Sequence, residues 1–285
     1  MANTALLLDG KSVAQKIRSK IKEEINAAKK NVTLATVLVG EDEASKIYVA
    51  MKQKQAEAAG IKSLHASLPQ DITQTEIEDY VKNLSENPDI NGILVQMPLP
   101  EHLNSEAVIE MIRPEKDVDG LTNNNLGKLI TGDALLMPCT PLGVMRLIEH
   151  YKITTTGKTA VVVGRSKLVG MPQLLMLAKK GIDTTASLAH SRTKNLEKLT
   201  KGADIIVAAT GIPGMITSKH VKSGAAVFDV GVTQTKNGIV GDVDFESVVT
   251  VAGAITPMPG GTGPMTVACL LENTLQAAKI QGVVD

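Results

Sequence analysis

Short apolar runs alternate with amphipathic stretches along the chain, a pattern that predicts an α/β architecture with parallel sheets. In the first half, Lys11–Lys30 reads as a helix and Leu34–Val39 as a buried strand, followed by a helix over Ser45–Ala59 closed by Gly60. Lys62–Leu68 is a second strand. Thr73 and Glu76 form a capping box for a helix running through Leu84. Ile93-Leu94-Val95-Gln96 is a strand ending in the rigid segment Pro98-Leu99-Pro100, and Arg113–Gly120 reads as loop.

A second α/β series begins near Pro138. Thr159–Val163 is a strand, Val169–Lys180 a helix stopped at Gly181, and Thr184–Leu188, Ile205–Ala209 and Ala226–Val230 are further strands, the order expected of a nucleotide-binding half-sheet. The last long helix has Pro264 in its first turn and Val267, Leu270, Leu271, Thr274, Leu275 and Ala278 on one face. No strand follows it, so it is expected to return to the first domain. Two domains are predicted, residues 1–137 with 263–285 and residues 138–262.

Composition narrows the function classes. Lys+Arg and Asp+Glu are both 30, which gives no long-range attraction to phosphate backbones or anionic lipid. Aromatic residues make up 2% with no Trp, so platforms for base stacking are nearly absent. Neither nucleic acid nor membrane is an expected partner. Cys139 and Cys269 lie far apart in apolar surroundings and read as small core residues in a reducing compartment. The Ala5–Leu8 run is too short for a signal segment or membrane span, so the cytoplasm is the default. The scattered histidines show no metal-ligand spacing, and no metal site is expected.

The second domain carries a nucleotide signature. Gly164-Arg165-Ser166 leaves a strand, and Gly170 opens a helix, where free N–H groups and the helix dipole favour an anion. Ser166 stands where GxGxxG would have its second glycine, so the motif alone balances evenly against a ligand-free turn. About 20 residues beyond the last glycine, where an NAD site places a carboxylate, the chain has His190-Ser191-Arg192. Hydroxyl and cationic groups suit a 2′-phosphate, which favours NADP. Thr210–Gly214 and Asp229–Val232 follow buried strands and become cofactor candidates only in that joint pattern; alone they are turn chemistry.

The first domain carries candidate proton chemistry. Ser45, Tyr48 and Lys52 share one helix face, either as an ordinary surface stripe or as a buried amine that shuttles protons near neutral pH. Gln96 either caps a strand or holds a neutral amine and a carbonyl together. Asp117 and Asp119 are turn formers, or one of them accepts paired N–H donors from an aminopyrimidine ring. The run from Pro257 to Thr266, with Gly260, Gly261 and Gly263, suits backbone passing close to a flat ligand. Tyr-x-x-x-Lys also occurs in short-chain dehydrogenases, but there the glycine-rich turn comes first; here it comes second.

Together the blocks Ser45-x-x-Tyr48-x-x-x-Lys52, Gly92–Pro100, Lys116–Leu121, Pro138–Pro141, Gly164–Pro172 and Pro257–Thr266 resemble bifunctional methylenetetrahydrofolate dehydrogenase/methenyltetrahydrofolate cyclohydrolase. The resemblance implies a homodimer with a folate-binding catalytic domain (1–137 plus 263–285) and a Rossmann-like NADP-binding domain (138–262), serving one-carbon metabolism and purine biosynthesis. It implies Lys52 as acid/base, Gln96 as its orienting partner, Tyr48 holding tetrahydrofolate substrate, Asp119 on the pterin, and Gly260 and Gly261 against folate and nicotinamide. Gly164, Arg165, Ser166, Ser191 and Val232 would contact NADP. Met97 and Ile212 depart from the residues more usual in that family, Leu and Lys. Two other readings are a dehydrogenase without cyclohydrolase activity and a non-catalytic nucleotide-binding regulator.

Overall fold

The computed structural model describes residues 5–236 and 238–284. Residues 1–4 and 285 of the expected first domain lie outside that range. Among the described residues the strands are β1 (Leu6–Leu7), β2 (Thr33–Val39), β3 (Lys62–Leu68), β4 (Gly92–Val95), β5 (Thr159–Val163), β6 (Thr185–Ala189), β7 (Ile205–Ala208), β8 (Ala226–Asp229), β9 (Thr233–Thr235), β10 (Gly238–Val240) and β11 (Ala254–Ile255). They fall into two compact units.

The smaller sheet has the order β3-β2-β4, all parallel, with β2 in full seven-residue register against β3. β2 (TLATVLV) is buried throughout, as an apolar run between two neighbours must be. The core here joins Ala35, Val37 and Val39 to Ile77, Val81 and Leu84 of the helix Gln74–Glu86 and to Ile93, Val95 and Val108. That helix starts with the expected capping box, Thr73 accepting from Glu76 N–H while the Glu76 carboxylate accepts from Thr73 N–H.

The larger sheet runs β1-β11-β8-β7-β5-β6, every pairing parallel. Its core centres on Val161, Val163, Ile206, Ala208, Val227 and Ile255. β9 and β10 make a separate antiparallel hairpin. The unit with this sheet holds Thr140–Thr266 and the described residues up to Ala14; the other holds Gln15–Cys139 and the chain from Val267 onward.

The C-terminal helix Thr262–Ile280 does return to the first domain's material. Asn273 donates to Val118 O and Met137 O, both at 2.8 Å, and Lys279 pairs with Glu24 at 2.7 Å. The N-terminal boundary differs from the sequence expectation. Leu6 N–H donates to Gly253 O and Leu8 N–H to Ile255 O, both at 2.9 Å, which seats β1 in the six-stranded sheet. Two-residue strands such as β1 and β11 carry too little pattern to be seen in sequence.

Candidate active site

In an open parallel sheet, ligands sit beyond the carboxyl ends of the strands, where successive connections leave to opposite sides. In the β3-β2-β4 sheet that point lies between the ends of β2 and β4. Asp42, after β2, caps the helix Glu43–Ala58 by accepting from Ser45 N–H at 2.8 Å, and that helix carries Tyr48 and Lys52. Gln96 follows β4 directly, and its N–H extends the ladder by donating to Val37 O at 2.8 Å. The two connections meet here: Lys52 Nζ donates to Gln96 Oε1 at 2.9 Å. Gln96 Nε2 donates to Met97 O at 2.7 Å, which turns the amide oxygen toward the amine.

Lys52 is only 8% exposed, so the surface-stripe reading of that helix face fails. Its ammonium lies 5.5 Å from the centre of the half-buried Tyr48 ring. Burial pulls the Lys52 pKa below its ordinary 10.5, partly offset by the charge of Asp119. Burial likewise raises Asp119 above the ordinary carboxylate value, with Lys52 pulling the other way. Desolvation dominates on both groups. The result is an amine that gives up its proton more readily than a surface lysine, which is what a proton relay requires.

The two aspartates of Lys116-Asp117-Val118-Asp119-Gly120 divide the alternatives between them. Asp117 is 1% exposed, and its carboxylate accepts from Leu121 N–H, Thr122 N–H, the Thr122 hydroxyl and Asn125 Nδ2 at 2.8–3.1 Å. It is the turn former. Asp119 keeps some exposure and interacts with Lys52 and Cys139. Cys139 is buried, its thiol donates to Val118 O at 3.2 Å, and burial raises its pKa well above the usual thiol value. It is a poor nucleophile, consistent with a core role.

In the larger sheet the switch point lies between β5 and β7. Gly164 leaves β5 at φ +128°, and a Cβ there would overlap the carbonyl oxygen of Ala209, the residue after β7. A Cβ on Gly170 would overlap the Gly164 carbonyl oxygen. Both glycines are therefore required by backbone packing in the turn that opens the helix Gly170–Ala178. Ser166 Oγ accepts from Val169 N–H at 3.2 Å, holding the turn. Arg165, Ser166, Ser191 and Val232 are exposed after β5, β6 and β8, on the edge where a dinucleotide lies. A cradle that any side chain would fill, open at a helix N-terminus, fits a pyrophosphate.

Gly260 and Gly261 directly precede the helix Thr262–Ile280. Gly260 has φ +110° and accepts from Lys11 N–H at 3.0 Å. A Cβ on Gly261 would come within 2.6 Å of Pro257 O, and a Cβ on Gly10 would overlap Gly261 O. Close backbone packing thus already accounts for Gly261.

The chain matches the catalytic-domain model of tetrahydrofolate dehydrogenase/cyclohydrolase over residues 8–119 and the NAD(P)-binding-domain model of the same family over residues 138–282. It belongs to that family. A curated relative, the bifunctional protein FolD of Methanospirillum hungatei, is 49% identical over 96% of this chain and 98% of its own. The crystal structure of FolD methylenetetrahydrofolate dehydrogenase/cyclohydrolase from Campylobacter jejuni superposes with a TM-score of 0.94 at 44% identity, covering 97% of this chain and 99% of that one. A Trypanosoma brucei FolD, solved with NADP and an inhibitor, gives 0.92 at 36% identity over 97% and 98%.

Within this tetrahydrofolate dehydrogenase/cyclohydrolase chain, sequence reasoning missed Asn273 and Asp242, and took Asp229 only as part of the segment Asp229–Val232. Asn273 lies beside the face read as apolar core and was not singled out. Asp229 and Asp242 sit among turn residues, where a carboxylate is ordinary. Among the described residues no group of three His, Cys, Asp or Glu is placed to hold a metal, and no helix is long and apolar enough to cross a membrane.

Proposed function

We propose that the protein oxidises 5,10-methylenetetrahydrofolate with NADP⁺ and hydrolyses the resulting 5,10-methenyltetrahydrofolate to 10-formyltetrahydrofolate. The observation that carries this reading is the buried Lys52 amine, hydrogen-bonded to Gln96, at the switch point of the smaller sheet. Family membership and the NADP-bound relative support the cofactor and substrate class.

The unit holding Lys52 binds folate and the unit holding Gly164 binds NADP. NADP⁺, when bound, supplies the acceptor for a hydride from the methylene carbon. Gly164, Arg165, Ser166, Ser191 and Val232 bind and orient it, with Arg165 and Ser191 answering the 2′-phosphate. Gly260 and Gly261 pass backbone close to the ligands. Tyr48 and Asp119 position the pterin, Asp119 by accepting paired N–H donors. In the hydrolysis, water adds to the methenyl carbon and neutral Lys52 takes a proton from that water. The Lys52 ammonium then returns a proton to N5 as the carbon–N5 bond breaks, leaving the formyl group on N10 and one net proton released. Gln96 keeps the amine aimed throughout.

The resemblance supports a homodimer in the cytoplasm serving one-carbon metabolism and purine biosynthesis. Zero net charge and the scarcity of aromatics support a role without nucleic acid or membrane partners. The test mixes the protein with 5,10-methylenetetrahydrofolate and NADP⁺ or NAD⁺ and follows reduced cofactor. Decay of added methenyltetrahydrofolate is followed separately. NADP⁺-preferring reduction and accelerated decay are expected. Decay at the protein-free rate would leave a monofunctional dehydrogenase, and no reduction would leave a nucleotide-binding regulator.

A further inference from the structure

Two buried carboxylates knit together the loops that follow β7 and β8. Asp242, fully buried, accepts from Thr210 N–H and Gly211 N–H through Oδ2, while its Oδ1 has no hydrogen-bond partner. Asp229, at the end of β8, accepts from Gly231 N–H (3.1 Å), Asp242 N–H (2.9 Å) and Val243 N–H (3.1 Å). A Cβ on Gly231 would overlap the Asp242 carboxylate, and one on Gly241 the Asp229 carboxylate. Backbone and carboxylate are therefore in direct contact on both sides. The two turns so held, Thr210–Gly211 and Val230–Val232, leave the carboxyl ends of adjacent strands, one of them beside the β5–β7 switch point.

We infer that Asp242 is a positioning residue for the cofactor: with Asp229 it fixes the two strand-end turns against which NADP is bound, acting through backbone N–H groups rather than by touching the cofactor. The inference rests on the proposed NADP-dependent function and deepens it. What these turns need is an acceptor, not a charge. An asparagine oxygen can accept both N–H groups, and its amide nitrogen would occupy the position of Oδ1, which accepts from nothing.

The test compares Asp242→Leu, Asp242→Asn and the unaltered protein by KM for NADP⁺, KM for methylenetetrahydrofolate, kcat, and methenyl hydrolysis without nucleotide. In Asp242→Leu the two N–H groups lose their acceptor, and KM for NADP⁺ should rise at least about tenfold. The folate KM and nucleotide-free hydrolysis should stay within about twofold, and Asp242→Asn should recover most of the NADP⁺ affinity. If Asp242→Leu does not fold, Asp242→Glu, which keeps the charge but displaces the acceptor, should show the same selective defect. An unchanged NADP⁺ KM in the folded variant, or equal losses in hydrolysis and NADP⁺ use, would overturn the inference while the functional reading stands. Absence of NADP⁺ reduction by the unaltered protein would overturn both.

Discussion

Replacing Asp229 with asparagine removes a carboxylate whose protonation is worth a calculable amount of stability. Asp229 is 2% exposed, and burial raises its pKa from 3.8 to about 6, with the nearby Asp242 charge adding to the rise and three backbone N–H bonds opposing it. The folded protein thus holds this proton more tightly than the unfolded chain. Between about pH 4 and pH 6 the folded state binds more protons, so stability falls as pH rises through that window. The change from 3.8 to about 6 corresponds to about 3 kcal/mol, fully lost above the upper value. Asparagine does not titrate. It also forfeits one acceptor, so the variant should carry a pH-independent cost of about 1–3 kcal/mol. Urea unfolding of both proteins at a series of pH values isolates the titrating part as the change in their stability difference. From about pH 4 to about pH 7 the unaltered protein should lose about 2.4 kcal/mol relative to Asp229→Asn. A difference that stays constant, or that grows in favour of the unaltered protein, would refute the reasoning.

Three further outcomes follow from the same geometry. Gly164→Ala places a methyl against the Ala209 carbonyl at a φ only glycine tolerates, so NADP⁺ affinity should drop at least about tenfold by titration, with nucleotide-free methenyl hydrolysis retained. Asp119→Asn removes a charge that raises the Lys52 pKa, so the acid limb of kcat/KM for methenyl hydrolysis should move to lower pH; a move to higher pH would contradict that coupling. Asn273→Leu strips the donor from the Val118 and Met137 carbonyls and should destabilise the protein by about 2–4 kcal/mol in urea unfolding.

Much of the fold was legible because strong local signals agreed with the tertiary outcome. β3 and β5 begin and end where the sequence predicts them, and the Thr73–Glu76 cap forms as written. β1 was not legible, since a two-residue strand is defined by its partner in β11 rather than by its own residues. At the site, helical spacing put Tyr48 and Lys52 on one face, but only the end of β4 brings Gln96 to the amine. Apart from the family resemblance, the residues themselves did not tell Asp117 from Asp119, because what separates them is the set of N–H groups that closes around Asp117. The packing of Gly261 against Gly10, more than two hundred residues away in the chain, had no local signal in the sequence.

Lys52 is held here to carry the proton of ring opening, and one measurement reads that step by itself. Added 5,10-methenyltetrahydrofolate is followed by loss of its chromophore with no nucleotide present. With Lys52→Met, folded and still binding NADP⁺ as the unaltered protein does, the catalysed decay should fall at least about a hundredfold, toward the protein-free rate. Decay at the unaltered rate would mean that the buried amine beside Gln96 is not the proton carrier.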